Sequence, residues 1–318
     1  MVSRGGAKSL RYHSSEHSEQ ARPGSGKMTN VDGSDSASVR LLRDFYRGGS
    51  IEMLPLIPQD ADALAQDLPN GTSVFVTHLQ RYPLDTALDV LDRLNAAGLK
   101  PIPHLAARRI SSHNLLSSFL HQAVSRCGVR QALIVGGEAD QPAGPFADAL
   151  SLLKTSLLRE SGLEQVAFAA YPNGHPAISH ARLMAALDDK ISCAGRQGLI
   201  SSVVTQFCFS ADQIAACAAG LRTRYPGIHL RIGVAGPSDV MTLLKYARLC
   251  GVPAASKFVG GQTSDAWRLA AGADPARLIE ATAGALAAAG LHNDISVHLF
   301  SFGGPRKAAI WLRSVTKG

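Results

Sequence analysis

Several polar side chains lie within or directly after short apolar runs, where they could do chemistry. Glu52 lies inside the apolar run Ile51–Leu54, and burying a carboxylate there is costly unless it is paired or neutralised. Burial alone raises the pKa of a carboxyl group, so Glu52 is a candidate proton donor near neutral pH. The other candidates at the ends of such runs are Thr77, His78, His104, Glu138, Tyr171, His175, Gln206 and Arg306.

Eight short apolar runs are predicted to be strands, and these residues lie at or just after the ends of seven of them. They span 50–54, 73–79, 100–106, 131–137, 165–172, 202–207, 229–236 and 295–302. Most are continuously apolar, which is typical of parallel strands covered by helices, and segments with helical spacing lie between them. Eight such alternations over about 270 residues predict a (β/α)8 TIM barrel, an α/β fold. The alternative is an open doubly wound sheet, but no G-x-G-x-x-G follows the first run.

A barrel brings the carboxyl ends of its strands together at one rim, where barrel enzymes place their chemistry. We therefore expect the polar residues above to converge at that rim. The stretch between the seventh and eighth runs is long and predicts two or three helices instead of one.

The first part of the chain has a different composition. Residues 1–45 are rich in Ser, Gly, Asp and Glu and show no hydrophobic period, which predicts a disordered tail before a barrel domain at 46–318. Met28 lies inside this tail. Two interpretations stay open: Met28 is the native start, or the tail is simply disordered.

The composition limits which binding partners and which cellular compartment we expect for the protein. The net charge is +7, without a dense basic run, which argues against a nucleic-acid partner and suits an anionic small molecule. No apolar stretch approaches the ~20 residues of a membrane span, and no secretory signal is visible. Five scattered cysteines without C-x-x-C indicate a reducing, cytoplasmic setting, and no metal-binding motif occurs. Exposed faces of the Ala-rich segments 211–220 and 276–289 could support a homo-oligomer.

Five sequence words, in order, carry a resemblance to a known family. They are SIEMLP from residue 50, FVTHL from 75, PHLAARR from 103, VAFAAYPNGHP from 166 and VVTQFCFS from 203. Together they resemble methylenetetrahydrofolate reductase over about residues 48 to 312. The family's corresponding words are S-F-E-F-x-P, V-T-Y-G, P-H-L-T, V-A-A-Y-P-x-x-H-P and I-T-Q-F-F-F.

The resemblance implies an oxidoreductase that interconverts 5,10-methylene- and 5-methyltetrahydrofolate. Hydride would come from NADH or NADPH, which the sequence does not distinguish, through bound FAD. Glu52 would protonate N10 of the folate. Gln206 would hydrogen-bond the pterin, Thr77 would lie beside the folate and the flavin, and Arg306 would meet the folate tail.

The resemblance also implies a flavin site. His104, Tyr171, His175 and Lys190 would line the dinucleotide, and Gly137 would let a flat ring or phosphate approach the backbone, unless it only forms a tight strand exit. The family's R-G-D word is here Gly136, Gly137 and Glu138. Glu138 would then stabilise the cationic folate intermediate.

The missing arginine at Gly136, and Val240 where the family often has a stacking aromatic residue, keep two alternatives open. One is a flavin-free reductase that transfers hydride directly. The other is a folate- or flavin-binding barrel without turnover. Without the resemblance, Glu52 could equally be a structural carboxylate paired with Arg108 or Arg109, and His104 a structural histidine.

Overall fold

The computed structural model describes residues 37–252, 275–291 and 293–316. Eight parallel strands form a closed barrel in chain order, so the predicted (β/α)8 fold is confirmed. The strands are β1 (Ser50–Met53), β2 (Ser73–Val76), β3 (Lys100–Ala106), β4 (Gln131–Val135), β5 (Gln165–Ala170), β6 (Ile200–Thr205), β7 (His229–Ala235) and β8 (Ile295–Phe300). The barrel closes where β8 pairs with β1, through Ser50 with His298 and Ile51 with Leu299.

Helices cover the outside of the barrel. They are α1 (Ala37–Arg47), α2 (Gln59–Asp67), α3 (Leu88–Ala96), α4 (His113–Ser125), α5 (Ala149–Leu153), α6 (Leu157–Glu160), α7 (His180–Arg196), α8 (Ala211–Arg224), α9 (Val240–Leu249), α10 (Ala276–Ala288) and α11 (Pro305–Thr316). Of the helices predicted between β7 and β8, α9 and α10 are described, and residues 253–274 lie outside the described residues. No helix among the described residues is long and apolar enough to cross a membrane.

Alternation along each strand divides the core into two layers. In β5, Val166 and Phe168 pack outward against the helices, whereas Ala167 faces the barrel interior. The inner cluster contains Phe75, Ile102, Leu133, Ala167 and Val204. Because these residues fill the middle of the barrel, space for a ligand lies toward the strand ends.

Helix α1 corrects the predicted boundary of the N-terminal tail. Leu41 and Phe45 lie four residues apart on one helical face and are both buried. The helix packs against β8 and α10. The boundary predicted after residue 45 is therefore too late, because this short apolar face lies among arginines and was not recognised. Residues 1–36, with Met28, lie outside the described residues.

Candidate active site

Glu52 occupies the interior of the barrel between two imidazoles. Its Oε1 lies 3.5 Å from Nε2 of His104 on β3 and 3.9 Å from Nε2 of His298 on β8. The Glu52 side chain is 18% exposed, and His298 is fully buried. The 3.9 Å separation is too long for a hydrogen bond. Glu52 and His104 are predicted site residues that the structure brings together. Arg108 donates to backbone carbonyls of the loop after β4, and Arg109 lies beside Glu138 and the His78 carbonyl. The alternative pairing of Glu52 with either arginine is therefore wrong.

The electrostatics of Glu52 correct one expectation. Burial raises the pKa of its carboxyl, but contact with His298 and the charge that His104 carries when protonated lower it by more, so the pKa lies below its usual value. Burial holds the pKa of His104 at about 4, although the Glu52 carboxylate partly offsets that shift. The raised pKa expected from the apolar run is therefore wrong. At neutral pH the group is a carboxylate beside a neutral His104.

His298 is a site residue that the sequence analysis missed. Its Nδ1 lies 2.9 Å from Oγ of Ser50, which orients the ring so that Nε2 faces Glu52. The ring of Phe75 packs edge-on against both imidazoles, with centroids 4.7 Å from His298 and 6.0 Å from His104. A signal was present: His298 lies between Val297 and Leu299 in an alternating strand, which points it inward.

Small residues stand across the barrel from Glu52. By strand register, Ala169 of β5 and Gly233 of β7 face the interior at about the level of Glu52 and His104. A Cβ at Gly233 would lie 2.1 Å from the Thr205 carbonyl oxygen, so no larger residue fits there. At this level the barrel wall opposite Glu52 therefore consists of the methyl group of Ala169 and a position that only glycine can occupy.

Thr77 and Gln206 follow the ends of β2 and β6, at the same end of the barrel as Glu52. Thr77 Oγ1 donates to the Met53 carbonyl at 3.3 Å. Gln206 Oε1 accepts from the Phe207 amide at 3.1 Å, and its amide nitrogen has no hydrogen bond to a described residue. Both side chains are half-buried. The structure therefore groups the predicted acid, His104 and two predicted folate contacts at one rim.

The loop after β4 brings Glu138 beside an arginine from the neighbouring turn. Gly137 adopts a φ of +88°, which favours glycine, and an added Cβ would lie 3.3 Å from Cβ of Ala106. Glu138 is 82% exposed, and its Oε2 lies 3.8 Å from Nη2 of Arg109. Arg109 also donates to the His78 carbonyl. The Arg109 guanidinium therefore lies beside the loop after β4, although the position at which the resemblance places an arginine is occupied by Gly136.

The side chain of Arg108 holds the same loop in place through hydrogen bonds to backbone carbonyls of that loop. Its Nε donates to the Ala139 carbonyl at 2.7 Å, and its Nη2 donates to the Asp140 carbonyl at 2.6 Å. Its role is therefore to hold the backbone after Glu138, which determines where that carboxylate stands.

The loop after β5 holds Tyr171 and His175 against each other. Their rings meet edge-on with centroids 5.3 Å apart, and His175 Nδ1 accepts from the Ala177 amide at 3.1 Å. Burial raises the pKa of the Tyr171 hydroxyl, and the charge of Glu138 adds to the shift. Tyr171 is thus a neutral hydrogen-bonding group close to Glu138.

Two predicted site residues are engaged elsewhere. Lys190 on α7 lies 5.4 Å from the ring centroid of Phe168, which packs in the outer layer, and burial lowers the pKa of its amine. Arg306 lies 3.7 Å from Asp67 at the end of α2, which Arg313 also contacts at 2.8 Å. The structure does not bring either cation to Glu52.

An aromatic wall stands on the β6 to β8 side of the mouth. Phe300 meets His298 at 5.1 Å and Phe207 at 5.4 Å between centroids. Further out, Phe302 stacks on Tyr246 at 4.3 Å. Val240 cannot stack on a ligand, but this wall places aromatic rings close by. The sequence analysis missed it because these residues come from three separate segments.

Among the described residues, no group of three or more acidic, histidine or cysteine side chains is arranged to hold a metal ion. The five cysteines are free thiols.

No family model matches this chain. Its structure is similar to that of an uncharacterized protein from Clostridium thermocellum, described as binding two copies of 5-methyl-5,6,7,8-tetrahydrofolic acid. The TM-score is 0.50 at 11% identity, over 86% of this chain and 97% of that one. Dihydropteroate synthase from Thermus thermophilus, in complex with 6HMPPP, is similar at a TM-score of 0.40 and 12% identity, over 85% and 92% of the two chains.

The carboxyl transferase domain of Rhizobium etli pyruvate carboxylase gives a TM-score of 0.46 at 10% identity, over 93% of this chain and 52% of that one. At such identities these likenesses show the shared barrel fold alone.

Proposed function

We propose that the mouth of the barrel binds a reduced folate and that the protein interconverts 5,10-methylene- and 5-methyltetrahydrofolate, with NADH or NADPH as the hydride partner. The observation that carries this proposal is Glu52, buried between His104 and His298 at the rim where Thr77 and Gln206 also stand. The folate-binding barrel from Clostridium thermocellum, which shares the fold, supports the ligand class.

The carboxylate of Glu52 suits two tasks in this reaction. When the five-membered ring of methylenetetrahydrofolate opens, the folate becomes an iminium cation, and a nearby negative charge stabilises it. When the ring closes from the methyl side, N10 loses a proton, which the carboxylate can accept. In the reducing direction Glu52 must first take up a proton. A ligand that covers the mouth excludes water and favours that neutral form.

The other rim residues would position the pterin. The amide nitrogen of Gln206 is available to donate to a ring oxygen or nitrogen, and the half-buried Thr77 hydroxyl stands at the same rim. Ala169, at the level of Glu52, adds only a methyl group to the barrel wall that would face the pterin. Orientation by these groups would align the reacting carbon with the hydride donor.

The resemblance implies FAD, and part of the site fits it. Gly137, Tyr171 and His175 would hold the ring and ribose, and Arg109, beside Glu138, would be a cation for the diphosphate. Bound flavin would supply hydride transfer between nicotinamide and folate.

A specific observation favours a second candidate, direct hydride transfer without flavin. Of the cations that the resemblance assigns to the nucleotide and the folate tail, Lys190 lies over Phe168 and Arg306 contacts Asp67. Gly136 replaces a third. A diphosphate would therefore rely mainly on Arg109, which already lies beside Glu138.

One experiment separates the candidates. The absorbance spectrum of the purified protein is recorded before and after addition of 5-methyltetrahydrofolate, followed by an NADH or NADPH oxidation assay with methylenetetrahydrofolate. A flavin band near ~450 nm that bleaches supports the FAD enzyme. A colourless protein that oxidises NADH or NADPH supports direct transfer. Folate binding without turnover supports a binding barrel, and the absence of folate binding overturns the proposal.

A further inference from the structure

Arg231 is buried inside the barrel, away from the mouth. Its neighbours in β7, Leu230 and Ile232, pack in the outer layer, so alternation turns Arg231 inward. The residue is 8% exposed. Its guanidinium carbon lies 5.5 Å from the centroid of the Phe75 ring, which projects from β2 on the other side of the interior.

This guanidinium has no hydrogen-bond or ion-pair partner among the described residues. Its Nε and Nη1 are buried without a hydrogen bond. No carboxylate among the residues that the structure describes lies within ion-pair distance of the guanidinium. The partly buried Arg109 and Arg222 differ, since they lie 3.8 Å from Glu138 and Asp294 respectively. Burial lowers the pKa of Arg231 only to about 10, so the group is charged at neutral pH. A buried charge of this kind needs a counter-charge.

The surroundings of Arg231 are polar but neutral. Gln131 Nε2 donates to Ser202 Oγ at 2.9 Å, and Ser296 Oγ lies 3.3 Å from Nε2 of His229. Burial holds the pKa of His229 at about 4, so its ring is neutral at pH 7. The face of the Phe75 ring offers Arg231 only partial compensation.

Phe75 separates this interior region from the candidate active site. Its ring contacts His298 and His104 as well as Arg231, so it stands between the guanidinium and Glu52. Glu52 therefore does not serve as the counter-ion. A folate bound at the mouth would likewise be separated from Arg231 by the Phe75 ring.

We propose that Arg231 binds a small inorganic monoanion, of which chloride is the probe, inside the barrel on the far side of Phe75 from Glu52. One negative charge balances the single guanidinium, and Gln131, Ser202 and Ser296 offer neutral polar side chains in the same interior region. Free guanidinium N–H groups are the donors that such an ion requires. The site is separate from the proposed folate chemistry and does not depend on it.

Thermal unfolding tests the proposal, because an anion that binds only the folded chain raises Tm by mass action. Chloride is exchanged for gluconate, which is too large for the interior, at constant ionic strength. The wild type is expected to gain several degrees in chloride, with saturation. Arg231→Met, which keeps an apolar stem and removes the charge, is expected to lose this dependence. The matched control Arg222→Gln removes a guanidinium outside the barrel and is expected to keep it.

A wild-type Tm that is equal in chloride and gluconate overturns the proposal, as does an unchanged chloride response in Arg231→Met. Should Arg231→Met fail to fold, bromide diffraction on wild-type crystals decides the question. A bromide anomalous peak within hydrogen-bond distance of the Arg231 guanidinium supports the site. Bromide at surface arginines only would mean adventitious binding and overturns it.

Discussion

Glu52 and His298 meet across the seam that closes the barrel, with Oε1 3.9 Å from Nε2. β1 and β8 are far apart in the chain and neighbours in space, because Ser50 pairs with His298 in the closing register. The buried carboxylate therefore depends on barrel closure for one of its two imidazole contacts, and its protonation state follows from that contact.

Replacing Glu52 by Gln should abolish turnover while folate binding survives. The amide keeps the shape of the side chain but carries no charge and transfers no proton, so kcat should fall at least about 100-fold. The measurement is the NADH or NADPH oxidation rate alongside a folate binding titration. Glu138→Gln, at an exposed carboxylate, is the matched control and should lose less. Equal activity in Glu52→Gln and the wild type would show that the carboxylate is not involved.

For the oxidation of 5-methyltetrahydrofolate, in which the Glu52 carboxylate accepts a proton, replacing His298 by Asn should move the acidic limb of the pH–kcat/KM profile to higher pH. The contact with His298 lowers the pKa of Glu52 against the effect of burial, so removing the imidazole leaves burial less opposed. The profile is measured from about pH 4 to pH 9. An unshifted acidic limb, with normal folding, would contradict the electrostatic role assigned to His298.

Stability should fall as the pH drops from 6.5 to about 4. Burial lowers the pKa values of His78, His104 and His229 from 6.5 to about 4, so in that window the unfolded chain binds protons that the folded chain does not. Stability therefore rises with pH across the window and is fully present above it. Each histidine contributes at most about 3 kcal/mol.

The unfolding midpoint in urea, measured at several pH values, tests this dependence. His229→Gln should flatten the curve, whereas His180→Gln, at an exposed position, should not. A curve for His229→Gln that parallels the wild type would rule out the contribution assigned to that ring.

Enlarging Ala169 should block the mouth. Ala169→Leu puts three more carbon atoms at the level of Glu52, so folate affinity should fall at least about tenfold while Tm changes by only a few degrees. Folate binding is measured by fluorescence titration. Ala186→Leu, on the exposed face of α7, is the control for added bulk. Unchanged affinity in Ala169→Leu would place the folate elsewhere.

The strands were largely predictable, since each of the eight apolar runs overlaps one strand of the barrel. Helix α1 was not predicted, because its face of Leu41 and Phe45 is short and lies among charged residues. The grouping of Glu52, His104, Thr77 and Gln206 followed from placing each at a strand end. The contact of Arg306 with Asp67 was not predicted, because Asp67 belongs to a helix far away in the chain.

The sequence by itself determined the barrel and the polar residues at its rim, because hydrophobic alternation is a local property that each segment carries. Tertiary structure decided the charge state of Glu52, through imidazoles from β3 and β8, and left Arg231 unpaired in the interior among the described residues. Such outcomes depend on distances between residues from distant segments, and electrostatic energies change steeply over a few ångströms in a buried setting. Only closure of the barrel sets those distances.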